Sequence, residues 1–336
     1  MAALFFEDFA AGQVRPYGPY TIGEAEIIRF ANEFDMQAMH TDPVAAKSGF
    51  YGRLIASGWH TAALNMRMFA DGILAGSASM GAGGIEDVKW LRPVFPGDAL
   101  TGTCTALAVR SPASKPDRGS VQFQLELHNQ SGERVYYQRH WSIFERRDRA
   151  AAADSGGAPV LAAVDPLAGI TLVKPEKPLH HYYFDDVPLG ATRDIGSYDF
   201  TEESILRFGR AYDPQYLHVD PEAAKTSQFG GLIASGWHTA SAWMRMMLMH
   251  SQRMAQETPG NTQFPRLGPS PGFRNLRWLK PSRPGDVLSF SSTMVGKKPS
   301  SLPGWGVLLH YNTGHNQRGE KAFEFSGAVL WERKAK

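Results

Sequence analysis

The 336-residue sequence has a single cysteine, no long apolar run and no excess of charge of either sign. One thiol, Cys104, cannot form an internal disulfide or a cysteine-based metal site, and its alternating surroundings predict that it packs within a strand. The N-terminus lacks the basic segment and apolar core of a signal peptide, and no run of about 18 apolar residues could span a membrane. We therefore expect a cytoplasmic protein.

The charge balance argues against nucleic acid as a partner. Lysine and arginine number 35 against 33 aspartates and glutamates, for a net charge of +2, whereas nucleic-acid binders usually carry a strong basic excess. The sequence also lacks a His/Cys cluster at metal-ligand spacing and a dinucleotide-binding glycine motif. We expect no metal and no redox cofactor.

The sequence contains a long internal repeat. Residues 29–68 match residues 207–246 without a gap, at an offset of 178 (207 − 29), and more than half of the aligned positions are identical. Trp90 recurs as Trp278, at an offset of 188 (278 − 90), which indicates a ten-residue insertion (188 − 178) in the second copy. We place this insertion in a loop around residues 252–270. A repeat of this length indicates two duplicated domains.

The domain boundaries follow from composition. We predict an N-terminal domain over residues 1–147, an Ala/Gly/Pro-rich linker over 148–178 and a C-terminal domain over 179–336. Each copy is predicted to open with a short amphipathic helix and to contain a longer buried helix, from about Trp59 to Leu74 and from about Trp237 to His250. Four or more alternating segments follow each long helix. This order predicts an α+β fold, a curved antiparallel sheet wrapped around a central helix.

Each copy contains an aspartate followed, five residues later, by a histidine. The pairs are Asp35 with His40 and Asp213 with His218. On a continuous helix two such side chains would diverge, but on a loop they can converge, and Pro214 favours a loop. A converging carboxylate and imidazole can hold one water molecule and transfer its protons near neutral pH.

A glycine stands 18 residues after each histidine, at Gly58 (58 − 40) and Gly236 (236 − 218). The serines before them, Ser57 and Ser235, can cap the long helix, so each glycine lies at a helix N-terminus with unpaired N–H groups. Such groups can stabilise a developing oxyanion, and glycine lets a substrate carbonyl come close to the backbone.

These motifs resemble those of the MaoC-like dehydratases, also called hydratase 2 or (R)-specific enoyl-CoA hydratases, once in each half. The resemblance implies two tandem hotdog domains packed as an internal pseudo-dimer, and a further homodimer is possible. It implies a hydro-lyase of fatty acid metabolism that interconverts trans-2-enoyl-CoA and (R)-3-hydroxyacyl-CoA. It assigns the water-binding pairs to Asp35 and His40 and to Asp213 and His218, and the oxyanion holes to Gly58 and Gly236.

The sequence departs from the family pattern around the catalytic positions. Gln37-Ala38 and Gln215-Tyr216 replace the usual Asn-Pro, and Ser57 and Ser235 replace the usual histidine before the helix glycine. These changes bear on the substrate more than on the reaction class. Both copies keep the Asp/His pair, and the second, with Pro214, is nearer to the family pattern.

Basic residues flank the two repeated tryptophans. We consider four of them as CoA phosphate contacts, with a solvated strand face as the alternative: Lys89, Arg92, Arg277 and Lys280. His60 and His238 are expected to be packed in the core. Two other functions remain open. A hotdog acyl-CoA thioesterase needs no histidine at this spacing, and a non-catalytic acyl-thioester-binding module would not require both pairs.

Overall fold

The computed structural model describes residues 4–111, 115–148, 165–257 and 264–334. The first half contains three helices and six strands within these residues. They are β1 (Val14–Thr21), α1 (Glu24–Phe34), α2 (Ala38–Thr41), α3 (Gly58–Phe69), β2 (Ser79–Gly81), β3 (Gly84–Trp90), β4 (Ala99–Arg110), β5 (Arg118–His128) and β6 (Arg134–Glu145). A π-helical turn, Ala70–Leu74, continues α3.

The second half repeats this order, except that a short helix is added before the long helix and the described residues contain no counterpart of β2. Its elements are β7 (Thr192–Phe200), α4 (Glu202–Tyr212), α5 (Tyr216–Val219), α6 (Pro221–Ala224), α7 (Gly236–Glu257), β8 (Gly272–Trp278), β9 (Asp286–Pro299), β10 (Trp305–His315) and β11 (Lys321–Glu332). The α+β prediction, with one long helix and a run of strands in each copy, is confirmed.

The two halves share one antiparallel sheet. Its strand order is β1-β4-β5-β6-β3-β8-β11-β10-β9-β7, and β2 pairs with β6. The halves meet where β3 pairs with β8, with Val88 opposite Phe273. The helices α3 and α7 pack against each other, and one hydrophobic core includes residues of both halves. This arrangement is the predicted double hotdog, in which the copies form an internal pseudo-dimer.

The short helices α1 and α4 form because their apolar residues recur at helical spacing. In α4 the buried positions Ile205, Phe208 and Tyr212 share one face, and Thr201 caps the helix by accepting a hydrogen bond from the Ser204 N–H at 3.1 Å. In α1 the corresponding face carries Phe30 and Phe34, among others. Both helices end at the aspartate of the Asp/His motif, so amphipathic packing sets the position of that carboxylate.

Some predicted boundaries were wrong. Neither copy opens with a helix, because β1 and β7 precede α1 and α4. Helix α7 continues to Glu257 instead of ending near His250, so the predicted loop around 252–270 begins later, and residues 258–263 of it lie outside the described residues. Residues 149–164 of the predicted linker also lie outside them, whereas in its last part Val173 forms a bridge with Ala191.

Two further observations concern single predictions. Cys104 is buried on β4, and burial raises the pKa of its thiol to about 12, as expected for a packing residue. No helix in the described part of the chain is both long enough and apolar enough to cross a membrane.

Candidate active site

The aspartate and histidine of the second half converge. Asp213 ends α4, and its N–H donates to the Gly209 carbonyl oxygen at 2.8 Å. His218 lies on the one-turn helix α5, which begins three residues later, so the pair spans a break between two helices. The Nε2 atom of His218 is 3.4 Å from Oδ2 of Asp213, and both side chains are buried. The predicted convergence is present, although the histidine lies on a short helix instead of a loop.

Hydrogen bonds hold both groups of this pair in place. Nδ1 of His218 lies 2.8 Å from the carbonyl oxygen of Ile233, which can only accept, so Nδ1 carries the proton. With the proton on Nδ1, Nε2 can act as an acceptor, and it faces the carboxylate. Ser235 Oγ donates to Oδ2 of Asp213 at 2.6 Å, and Gln215 Nε2 donates to Oδ1 at 2.9 Å. Each carboxylate oxygen therefore already accepts one hydrogen bond from the protein.

The first half has the same arrangement with slightly different distances. His40 Nε2 is 3.6 Å from Asp35 Oδ2, and His40 Nδ1 is 2.9 Å from the carbonyl oxygen of Ile55. Ser57 donates to Oδ2 of Asp35 at 2.6 Å and Gln37 to Oδ1 at 2.8 Å. The structure therefore gives no geometric reason to assign chemistry to only one half.

The glycines open the long helices as predicted. Gly58 and Gly236 are the first residues of α3 and α7, where the amide has no intrahelical acceptor. The serine before each glycine accepts the next N–H of the helix: the Trp59 N–H at 3.1 Å from Ser57 and the Trp237 N–H at 3.3 Å from Ser235. Both glycines stay partly exposed between buried neighbours.

A tryptophan also requires glycine at each of these positions. A Cβ on Gly58 would lie 2.6 Å from the Trp90 ring, and one on Gly236 would lie 2.2 Å from the Trp278 ring. The Trp278 indole N–H donates to the Gly236 carbonyl oxygen at 2.9 Å. Close ring packing is therefore a second physical reason for these glycines, beside access of a ligand to the backbone.

Each Asp/His pair faces a cavity formed by both halves. The first cavity has a volume of about 320 Å³ and is lined by Asp35, His40 and Gly58 of the first half, together with the α7 face and strands of the second. The second cavity has a volume of about 410 Å³ and is lined by Asp213, His218 and Gly236, together with residues of the first half. Neither half alone encloses a site, because its partner half supplies the opposite wall.

The four basic residues considered as CoA contacts divide into two groups. Arg92 lines the first cavity and Lys280 the second, and both side chains are more than half exposed. Lys89 and Arg277 line neither cavity. All four lie near a carboxylate, which supports the solvated-face alternative for part of the set: Lys89 with Asp87, Arg92 with Glu133, Arg277 with Glu324 and Lys280 with Glu320.

The histidines of the first helical turn are packed in the core. His60 stacks on Phe30 with 4.5 Å between ring centroids, and His238 stacks on Phe208 at 4.7 Å. Both rings are completely buried. Burial lowers the pKa of His60, and it lowers the pKa of His238 to about 3.

Comparison with known protein families finds a family model that matches both halves of the chain. The family model described as "MaoC like domain" matches residues 8–119 and 187–301, once in each half. The chain belongs to the MaoC-like domain family. The two matched regions include both Asp/His pairs and both helix glycines.

Relatives of this MaoC-like chain include proteins with and without a named activity. The chain is 28% identical over 149 residues to the uncharacterized protein YdeM of Bacillus subtilis, a region that is 44% of this chain and 98% of that protein. It is 36% identical over 93 residues to mesaconyl-CoA hydratase of Cereibacter sphaeroides, a region that is 28% of this chain and 26% of that protein.

Solved structures support the same fold over the whole chain. A structure from Chloroflexus aurantiacus, described as a MaoC domain protein dehydratase, aligns with 99% of this chain and 98% of its own at a TM-score of 0.80 and 20% identity. A Mycobacterium tuberculosis protein described as a double hotdog fold aligns with 98% of both chains at a TM-score of 0.72 and 15% identity. At these identities the likeness establishes the fold alone.

Sequence reasoning missed the groups that hold the carboxylates of this MaoC-like chain. We interpreted the serines only as helix caps, and the glutamines only as departures from the family pattern. The signal was present, because Gln37 and Ser57 recur as Gln215 and Ser235 at the same offset of 178 (215 − 37 and 235 − 57). When both copies keep the same polar residue at the same distance from a candidate acid, that residue can be predicted to bind the acid.

Proposed function

We propose that this protein is a hydro-lyase that interconverts a trans-2-enoyl thioester of CoA and the (R)-3-hydroxyacyl thioester. One observation carries the proposal. In each half, a carboxylate held by two donors and an imidazole with its proton fixed on Nδ1 face a cavity that also contains the free amide of a helix N-terminus. This set of groups suits the addition of water next to a thioester carbonyl.

The water molecule binds between His218 Nε2 and Asp213 Oδ2. Both atoms are acceptors and lie 3.4 Å apart, so they do not bond to each other, and a water beside both can donate one proton to each. The Ile233 carbonyl keeps the ring proton on Nδ1, which leaves Nε2 free to accept. Ser235 and Gln215 prevent rotation of the carboxylate.

The reaction then moves one proton from oxygen to carbon. As the water oxygen bonds to C3, the Asp/His pair removes one of its protons and the C2–C3 π electrons move toward the thioester oxygen. The Gly236 N–H stabilises that oxygen. The same pair returns the proton to C2 on the same face, which is a syn addition. Asp35, His40 and Gly58 have the same roles in the first half.

The family supports the class of reaction, and the cavities support the class of substrate. A relative by local sequence similarity is named a hydratase and acts on a CoA thioester. Arg92 in the first cavity and Lys280 in the second are exposed cations suited to the phosphates of CoA, so we assign them as its contacts. Lys89 and Arg277, which line neither cavity, are not part of this assignment.

The test measures loss of the conjugated-thioester absorbance of short and medium trans-2-enoyl-CoAs, with chiral analysis of the product. We compare the unchanged protein with Asp35→Asn, Asp213→Asn and the double variant. The double variant is expected to lose roughly 100- to 10,000-fold in rate, because asparagine cannot exchange a proton. The two single variants show how much each half contributes.

Other outcomes would replace the proposal. Full activity in the double variant would rule out the Asp/His assignment. Release of free CoA from saturated acyl-CoAs, without hydration of any enoyl-CoA, would indicate a thioesterase. Tight binding of acyl-CoAs without turnover in either assay would indicate an acyl-thioester-binding module.

A further inference from the structure

Arg193 is a cation in the wall of the first cavity for which the described residues supply no counter-ion. It lies on β7, on the same face of the strand as the buried Ile195. Its Nε atom has almost no exposed surface and no hydrogen-bond partner, and its guanidinium forms no ion pair with any residue in the described ranges. A partly buried arginine with no acidic partner is energetically costly, which points to a partner that binds from the cavity.

The buried and partly buried groups around Arg193 are basic or neutral, and the one nearby acid that acts on them among the described residues, Asp194, is exposed. Three histidines lie within its electrostatic reach, His180, His250 and His310, and burial together with Arg193 lowers the pKa of each to about 4. They are therefore neutral near pH 7, whereas burial lowers the pKa of Arg193 only to about 10, so it stays charged. His310 also lines the cavity. An anion is the ligand that this environment favours.

Arg193 and the first Asp/His pair line the same cavity. One face of α7 lines this cavity with residues at helical spacing: Met244, Met247, Leu248 and Ser251. At about 1.5 Å per residue, the seven steps from Met244 to Ser251 span about 10 Å. A cavity of this extent, apolar along α7, suits an acyl chain.

The repeat supplies a matched arginine that lies outside the second cavity and has a bonding partner of its own. Arg15 aligns with Arg193 (193 − 15 = 178), and it does not line the second cavity. It donates to the Asp8 carbonyl oxygen at 3.2 Å and lies over the Phe9 ring at 5.5 Å. The residue that aligns with Asp8 is Asp186, which pairs instead with Lys334 at 3.0 Å. The Nε atoms of both arginines are buried without a hydrogen-bond partner, but Arg15 also bonds to Asp8, whose carboxyl pKa is lowered by a backbone hydrogen bond and by cations that include Arg15, whereas the described residues offer Arg193 no such acid.

The strands behind Arg193 also differ from those of the first half. Phe123 stands opposite His140 across β5 and β6, whereas His310 stands opposite Gly327 across β10 and β11. Gly327 leaves room for the imidazole, because a Cβ there would lie 2.4 Å from His310. The first cavity thus has a polar region next to Arg193. Among the described residues, the polar side chains that the first half contributes to the second cavity are all neutral, since burial lowers the pKa of His140 to about 4: Ser79, Gln138, His140 and Ser142.

We propose that the first cavity takes an acyl thioester whose acyl chain ends in a carboxylate, with Arg193 as the counter-ion of that carboxylate. This inference rests on the proposed function and adds the substrate class of the first site. The second cavity, without such a cation in the wall from the first half, takes neutral acyl groups. The two sites of the chain then differ in substrate and share one chemistry.

The test is calorimetric binding of saturated acyl-CoAs, which need no turnover. Glutaryl-CoA and pentanoyl-CoA differ only by a terminal carboxylate in place of a methyl group, as do adipoyl-CoA and hexanoyl-CoA. We expect the dicarboxylic member of at least one pair to bind roughly 10- to 100-fold tighter, the range for a hydrogen bond to a charged group. Arg193→Met should remove this preference, Arg193→Lys should keep part of it, and the matched control Arg15→Met should keep it fully.

Each alternative outcome is informative. Equal affinity of the unchanged protein for both members of each pair overturns the inference and leaves the hydratase proposal intact. An equal loss of affinity for both members in Arg193→Met overturns it too, because the arginine is then structural. If no acyl-CoA of either kind binds, the proposed function fails together with the inference.

Discussion

Replacing Ser235 with alanine tests how the second Asp/His pair is held. The hydroxyl of Ser235 has two roles, because it donates to Oδ2 of Asp213 at 2.6 Å and accepts the Trp237 N–H at 3.3 Å. Alanine removes both bonds and adds no volume. Within the described residues, the buried carboxylate then keeps a single hydrogen-bond donor, Gln215.

The magnitude follows from the two lost contacts. Loss of a helix N-cap costs about 1 kcal/mol, and loss of a hydrogen bond to a charged group costs about 1.5–3 kcal/mol. We therefore expect Ser235→Ala to lower the free energy of unfolding by about 2.5–4 kcal/mol. Thr201→Ala is the matched control. Thr201 caps α4 through the Ser204 N–H but has no carboxylate partner, so it should cost only about 1 kcal/mol.

Denaturant unfolding and enoyl-CoA hydration measure the two consequences. The Ser57→Ala/Ser235→Ala double variant should lose hydratase activity by roughly tenfold or more, because each carboxylate is then free to rotate away from its water. Thr201→Ala should keep full activity. If Ser235→Ala is no more destabilising than Thr201→Ala, and the double variant keeps its turnover, the serines are only helix caps and this reasoning is refuted.

Two further predictions concern the same helix, α7. Gly236→Ala should lower the free energy of unfolding by about 1–3 kcal/mol and lower activity, because the alanine Cβ would lie 2.2 Å from the Trp278 ring. Stability and turnover equal to those of the unchanged protein would contradict this. Burial lowers the pKa of His238 to about 3 in the folded state, whereas in the unfolded chain the histidine takes up a proton at about pH 6.5. The free energy of unfolding should therefore fall as the pH drops from about 6.5 toward 3, because in this range only the unfolded chain binds the proton. His238→Phe should reduce this fall while keeping a ring beside Phe208, and an identical pH dependence in both proteins would show that His238 does not contribute.

The two sites differ more in their cavities than in their reacting groups. Both Asp/His pairs keep the same three kinds of hydrogen-bond partner, a glutamine, a serine and an isoleucine carbonyl, at nearly the same distances. The walls opposite them have diverged, with Arg193 and His310 in one and Gln138 and His140 in the other. A duplicated chain can keep one chemistry twice and change what each copy accepts, because each cavity wall comes from the other half.

The sequence predicted the repeated core of the fold well and its edges poorly. The strands β4, β5 and β6 follow from alternation of apolar residues, because they are buried on one face. The edge strand β1 was missed because Pro16, Gly18 and Pro19 indicate a turn, although proline is tolerated at a sheet edge. The end of α7 at Glu257 was missed because its last turns are polar.

The sequence by itself determined the duplication, the α+β class, and which residues form the candidate pairs. Repeats and local periodicity depend on neighbours along the chain, so they can be recognised without a structure. Only the tertiary structure decided that Ser235 and Gln215 hold Asp213, that each cavity has walls from both halves, and that Arg15 bonds to Asp8 while the described residues offer Arg193 no counter-ion. Those facts depend on contacts between segments far apart in the chain, and burial and partnership of a charge exist only after the two halves have packed together.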